Sequence, residues 1–367
     1  MALKKDTTVS YLLQDFKQFF DDPGVTEICV NAPGEVWCEN KGKWVCTKVE
    51  KLTYDRLLQL GIAVAKYANT EFGENAPIVS AVLPNGERSQ FVMPPACKDE
   101  TISITIRKPS FHVRTMQEYE NDNFFANVKP VSHLSAEDNE LLQMQQRIQV
   151  EQDGAKQAIL RAQFLQRAVV LGKNIIIAGE TGSGKTTFMK TLMQSIPTDQ
   201  RLITIEDVPE LLWGLPNHHN VVNLLYPSEA KDDAVITAAS LMRSCLRMKP
   251  DRILLAELRG GETFDFLNVC LSGHGGTITS CHAGSSKGVF EYLALKVMQS
   301  SVGKSLPYPV IFKLLHLVLD VIVCIHNDKQ NGLGRHITEL WYDPESKFKE
   351  SLRSIKWDSQ KRNLSST

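Results

Sequence analysis

No two of the eight cysteines (29, 38, 46, 97, 245, 270, 281 and 324) stand at C-x-x-C spacing. Several lie inside apolar runs, where a free thiol packs as a small hydrophobe, so a reducing cytosol is the expected setting. Long apolar runs are missing too. The longest late one, residues 317–325, carries Asp320 and is far short of the roughly 20 residues that span a bilayer. After Lys4 and Lys5 the chain meets Asp15, Lys17, Asp21 and Asp22 where a secretory signal would have its apolar core, so none is expected. Any membrane contact is therefore expected to be peripheral. Nor is there an excess of one charge: 41 Lys and Arg against 42 Asp and Glu leave a net −1. Such a balance sets up no global field for nucleic acid or anionic lipid, although a local basic patch can hide in it. We find no internal repeat and no basic-aromatic stripe, and direct sequence-specific nucleic-acid binding is not expected.

What is present is an ordinary globular composition, 43% hydrophobic and 23% charged over 367 residues, enough for two cores. The chain is organised around residues 174–187. An apolar run, Ile175-Ile176-Ile177-Ala178, leads directly into Gly179-Glu180-Thr181-Gly182-Ser183-Gly184-Lys185-Thr186, a complete G-x-x-x-x-G-K-[ST] P-loop. Its glycines let successive N–H groups point inward at phosphate oxygens. Lys185 is placed to reach the β and γ phosphates, and the Thr186 hydroxyl to ligate Mg²⁺. From Thr186 and Thr187 onward the chain can open the helix whose first N–H groups complete the anion site. ATP with Mg²⁺ is the expected ligand.

Around this centre the periodicities change along the chain. Residues 9–20 show helical spacing, ended by Asp22-Pro23-Gly24. Short β-rich runs at 26–30, 35–38 and 44–49 alternate with turns, as in an antiparallel meander. Helical spacing returns over 53–67, and 78–83, 90–93 and 101–106 read as further strands. Residues 1–112 thus form an α+β domain. From 113 to 158 polar residues dominate in a linker that is partly helical, with a helix start at Ser135-Ala136-Glu137-Asp138. A second domain, 159–345, opens with an amphipathic helix and alternates strands (201–205, 221–224, 252–256, 276–280, 319–325) with helices such as 232–248 and 261–271. That alternation implies a mostly parallel sheet covered by helices, hence an α/β class. Residues 346–367 form a polar tail.

A P-loop by itself does not hydrolyse ATP, because water must be activated and developing charge stabilised. The apolar strand Ile253-Leu254-Leu255-Ala256 ends in Glu257, a layout that sets an acid beside phosphate-bound Mg²⁺. Glu206, Asp207 and Glu210 directly follow another strand, and strand ends of an open α/β sheet face one crevice. A carboxylate there could position the attacking water, and Asp207 could equally cap a turn. His274 and His282 bracket a glycine turn and a strand, a pattern suited to sensing the γ-phosphate. Arg243, Arg247 and Arg259 lie near the Glu257 strand, whereas Arg88 and Arg107 belong to the first domain. Guanidinium groups grip phosphate oxygens in pairs, so these are the candidate charge stabilisers, Arg88 and Arg107 acting across a domain or subunit boundary.

These motifs in this order resemble the secretion-system ATPases, most closely the traffic ATPases of bacterial type IV secretion and conjugation, and the resemblance covers nearly the whole chain. Residues 179–186 match the P-loop, 204–210 the Asp box, 253–257 the Walker B strand and 273–282 the His box. Residues 27–36 and 105–109 argue for the type IV branch over the type II and pilus-retraction relatives, some of which carry a Cys-rich zinc module not found here. The resemblance implies a RecA-like C-terminal domain and a homo-hexameric ring of two tiers, with nucleotide held between the two domains. It also implies a cytoplasmic location at the inner membrane, beside other secretion components, and a function in pilus biogenesis or in DNA or protein transfer. The 113–158 segment resembles an extended linker that sets a first domain over a neighbour's catalytic domain. The alternatives are a RecA-like nucleic-acid motor, a type II or pilus-retraction ATPase, or a scaffold that uses nucleotide only as a switch.

Overall fold

In a computed structural model the chain is described over residues 5–110, 113–128, 134–228 and 234–347. The first apolar stripe folds as two helices, α1 (Thr7–Leu13) and α2 (Lys17–Asp21), separated by a 3₁₀ turn at Gln14–Phe16. The turn breaks the single helix expected over 9–20 while keeping Val9, Leu12, Phe16 and Phe19 buried on one face. Six strands follow: β1 (Val25–Val30), β2 (Glu35–Asn40), β3 (Lys43–Lys48), β4 (Ile78–Val82), β5 (Arg88–Val92) and β6 (Ser103–Arg107). They pair antiparallel throughout, in the order β3-β2-β1-β6-β5-β4. Helix α3 (Tyr54–Tyr67), whose first turn is capped by the Thr53 hydroxyl accepting from Arg56 N–H, buries Leu57, Leu60 and Val64 in the same core.

The expected linker is largely helical. Helix α4 (Met116–Asn121) carries a capping box from Thr115 and Glu118, and α5 (Ala136–Val150) starts at Ser135, whose hydroxyl accepts from Asp138 N–H. Helix α6 (Gly154–Val170) begins ahead of Ile159 because Asp153 accepts the N–H groups of Ala155 and Lys156. Leu141 and Ile148 of α5 pack with Phe164, Leu165 and Ile177, so the second half of the segment is part of the C-terminal core.

That core contains β7 (Ile175–Gly179), α7 (Lys185–Met193), β8 (Leu202–Glu206), β9 (Val221–Leu225), α8 (Ala238–Cys245), β10 (Arg252–Leu255), α9 (Glu262–Leu271), β11 (Ile278–Cys281), α10 (Ser286–Val297), α11 (Tyr308–Val318), β12 (Val321–Asp328) and β13 (Gly334–Tyr342). Strands β10-β8-β9 are parallel, as are β11-β7-β12, and β13 closes the second group as an antiparallel hairpin partner of β12. Every residue of β7, β8, β10 and β11 is buried, which is why apolar residues predominate in them without a polar face. Strand β13 went unnoticed in the sequence because much of it is exposed and its apolar residues do not alternate. The helix expected over 232–248 is confined to α8, and residues 232 and 233 lie outside the described residues.

The two halves meet at the starting ends of β8 and β10 and along the edge of β9. Lys98 N–H donates to Asn223 O (3.0 Å), and Leu225 N–H to Ala96 O (3.0 Å). Arg201, just ahead of β8, is fully buried there and donates to Asn31 Oδ1 (2.7 Å), Asn220 Oδ1 (2.7 Å) and Met248 O (3.0 Å). Because the strands are parallel, the Arg201 contact lies at the end of the strands opposite to the one that faces the P-loop cleft.

Candidate functional site

The P-loop turn is built where β7 stops. A Cβ on Gly179 would sit 2.3 Å from the Ile325 carbonyl of neighbouring β12, and Gly182 and Gly184 adopt φ of +79° and +97°, which side-chain-bearing residues rarely adopt. Gly184 is the N-cap of α7 and no side chain caps that helix, so its first N–H groups stay directed at the cleft. Lys185 Nζ donates to the carbonyls of Gly179 (2.8 Å) and Glu180 (3.1 Å) and lies 3.5 Å from His282 Nδ1. Burial lowers its pKa from the ordinary lysine value, more than the nearby Glu257 restores it. A desolvated ammonium held only by carbonyls gains strongly from an arriving phosphate.

The ends of the parallel strands supply the rest. Thr181, Gly182, Gly184, Lys185, Thr186 and Thr187 share a cleft of about 590 Å³ with Asp207, Glu210, Glu257, Arg259, His282 and Arg335. His282 Nε2, just beyond β11, stands 2.7 Å from Glu257 Oε1. That oxygen is buried and accepts no well-angled hydrogen bond among the described residues. A buried carboxylate oxygen with only an imidazole nitrogen beside it, and the Thr186 hydroxyl in the same cleft, fits a hard divalent cation completed by substrate phosphates. Glu257 Oε2 accepts from Arg259 Nε (2.8 Å), and Arg259 Nη1 donates to Asp207 Oδ2 (2.6 Å). Burial pulls the Arg259 pKa down, but Glu257 and Asp207 together hold it above the ordinary value.

The acidic cluster after β8 divides in two. Glu206 is fully buried and accepts the backbone N–H groups of Glu210 and Leu211, both at 2.7 Å. Burial raises its pKa against the pull of those bonds. It ties down the turn, and Glu210 and Asp207 are the members that face the cleft.

The remaining candidates stand apart. Arg243 is paired with Asp265 (2.9 Å). Arg88, Arg107, Arg247 and His274 line a separate cavity of about 500 Å³ with Lys249 and the buried Glu27. The His274 pKa is lowered by burial and by Lys249. The P-loop residue Glu180 turns outward, its Oε1 3.1 Å from His326 Nδ1 on β12. Arg335 escaped the sequence reading because it belongs to no motif and reaches the cleft only through the β12–β13 hairpin.

A P-loop, a strand-end carboxylate and a histidine meeting in one cleft define a nucleotide-binding P-loop protein. The Type II/IV secretion system protein family matches residues 14–326. Type IV secretion system protein VirB11 of Brucella abortus is 54% identical over 355 residues, covering 96% of this chain and 94% of its own. Type IV secretion system protein PtlH of Bordetella pertussis is 39% identical over 343 residues, 93% of this chain and 97% of its own. Among solved structures, the VirB11 ATPase from the Brucella suis type IV secretion system, in complex with sulphate, superposes with a TM-score of 0.85 at 52% identity. That match covers 93% of this chain and 99% of the other. The chain belongs to the Type II/IV secretion system protein family. Among the described residues no helix is long and apolar enough to cross a membrane.

Proposed function

We infer that the chain is an ATPase of a type IV secretion system, hydrolysing ATP with Mg²⁺ to drive domain motion in pilus biogenesis or substrate transfer. The observation that carries this reading is the meeting of Lys185, Thr186, Glu257 and His282 in one cleft of a chain so close to VirB11.

In this reading the nucleotide-binding half is a RecA-like core running from about 159 to 345, with the α+β domain of 1–112 ahead of it and the 113–158 linker between. The N–H groups of Gly179 to Thr187 and the Lys185 ammonium bind the phosphates, Lys185 exchanging its carbonyl partners for them. Mg²⁺, when bound, supplies charge neutralisation at the phosphate oxygens. Thr186 and Glu257 are the residues that would hold it. Arg259 and His282 keep the Glu257 carboxylate oriented, and His282, close to both Lys185 and Glu257, is set to register whether the terminal phosphate is present. Of the acids after β8, Glu210 orients the attacking water, whereas Glu206 shapes the turn.

Arg88 and Arg107, turned away from their own P-loop, act on the nucleotide of a neighbouring subunit in a homo-hexameric ring, with Arg243 a further candidate there. Around Arg201 the contact between the halves is hydrogen-bonded, and beside it Val92, Ala96 and Cys97 of the first half pack into the C-terminal core. The ring works in the cytoplasm, peripheral to the inner membrane and beside other secretion components.

The test is ATPase rate and light-scattering mass measured together across protein concentration in Mg-ATP. A hexamer whose specific activity rises with assembly is expected, and an active monomer with flat specific activity would remove the shared sites. Lys185→Ala is expected to abolish turnover. Wild-type turnover by that variant would overturn the site itself.

A further inference from the structure

Two arginines line the nucleotide cleft, and their surroundings differ. Arg259 is already neutralised by Asp207 and Glu257. Arg335 forms no ion pair and no side-chain hydrogen bond among the described residues, and it is exposed to the cleft. It reaches this place from the hairpin. Asn327 of β12 is its partner across the ladder, and the neighbouring His326 is the residue that meets Glu180 of the P-loop at 3.1 Å. One residue further back, the Ile325 carbonyl closes on Gly179 so tightly that a Cβ there would be 2.3 Å away. The base of the hairpin is thereby fastened to the start of the P-loop, and Arg335 is laid over its far end. A Cβ on Gly184 would lie 3.2 Å from Arg335 Cδ and 3.7 Å from its Nε.

The backbone N–H groups of a P-loop's glycine-rich turn, Gly184 among them, cradle the α and β phosphates, while its lysine side chain reaches the β and γ phosphates. The geometry points to Arg335 as a further nucleotide-binding residue, whose guanidinium clamps the α- or β-phosphate of ADP and ATP from the hairpin side. This rests on the nucleotide-hydrolysing reading of the same cleft. Because those phosphates are present before and after hydrolysis, the contact is made equally with substrate and product. Arg335 therefore sets affinity, and the rate of the chemical step is left to the residues around Glu257.

The experiment uses the full chain with Mg²⁺. Kd for ADP is measured by displacement of a fluorescent ADP analogue, and kcat and KM for ATP by phosphate release, for the wild type, Arg335→Gln and Arg335→Lys. Loss of a charge-assisted bond predicts a roughly tenfold or greater rise in both Kd and KM for Arg335→Gln, with kcat within about twofold. Arg335→Lys should recover part of the affinity, because it restores the charge and not the planar fork. An Arg335→Gln variant with wild-type Kd and KM overturns the proposal, as does one that loses kcat at unchanged Kd. A wild-type chain that fails to bind ADP overturns the underlying reading as well. Lys185→Ala, run in parallel, fails independently of Arg335 and so separates the two. Matching circular-dichroism melts of wild type and variants exclude misfolding as the cause of weaker binding.

Discussion

Replacing Arg201 with methionine removes the one cation buried completely between the two halves of the described chain while keeping most of its volume. Its guanidinium donates to Asn31 Oδ1, Asn220 Oδ1 and Met248 O at 2.7, 2.7 and 3.0 Å. Three bonds from a charged donor are worth about 5–9 kcal/mol gross. Relieving the guanidinium's desolvation returns several kcal/mol of that, on the order of what a buried ion loses after relaxation. Asn31 Nδ2 still donates to Asn220 Oδ1 (2.9 Å), so the Asn31 Oδ1 and the Met248 carbonyl are the two acceptors left without that donor. The net loss is about 2–4 kcal/mol, felt at the interface. Hydrogen exchange reads it locally, because the amides of Lys98 and Leu225 are bonded across that interface. If they exchange by separation of the two halves, Arg201→Met should speed them by roughly 30- to 700-fold, with protection in β7 and β8 unchanged. Acceleration below about threefold at both amides would refute the assignment of Arg201 as the pin between the halves.

Glu27 provides a pH test. Burial pushes its carboxyl up to about 7, against the attraction of Arg107, while in the unfolded chain it titrates near 4.5. The folded state therefore holds the proton longer, and Glu27 weakens stability progressively as pH rises from 4.5 to about 7, by up to roughly 3 kcal/mol. Glu27→Gln should match the wild type in urea unfolding at pH 4.5 and exceed it at pH 8, and equal stability at both would count against this burial cost. The acids after β8 should separate by assay. Glu206→Ala strips the acceptor from the buried Leu211 N–H and the half-buried Glu210 N–H and is expected to cost about 2–3 kcal/mol in denaturant unfolding. Glu210→Gln should leave stability within about 0.5 kcal/mol while lowering kcat about a hundredfold. The reverse pattern would exchange the two roles.

The P-loop was legible from residues alone because its geometry is local. Gly182 and Gly184 are needed at left-handed φ, Lys185 and Thr186 follow at fixed spacing, and an apolar strand precedes them. The strand ending before Glu257 and the runs that became β8 and β11 were legible for a related reason. Strands buried on both faces are dominated by apolar residues, and their C-terminal ends share one crevice.

Only the tertiary structure decided what each side chain at that crevice does. Glu206 and Glu210 are equivalent as letters, yet the turn after β8 buries one beneath backbone N–H groups and points the other outward. Arg88 and Arg107 are attractive phosphate ligands by type, but the first domain docks at the starting ends of β8 and β10, which carries them to a different cavity. Arg335 enters the nucleotide cleft through an edge hairpin whose half-exposed strand has no periodic signature. Local backbone rules fix a loop from a few consecutive residues, whereas the direction a side chain faces across a sheet depends on strand order and docking, which no short stretch encodes.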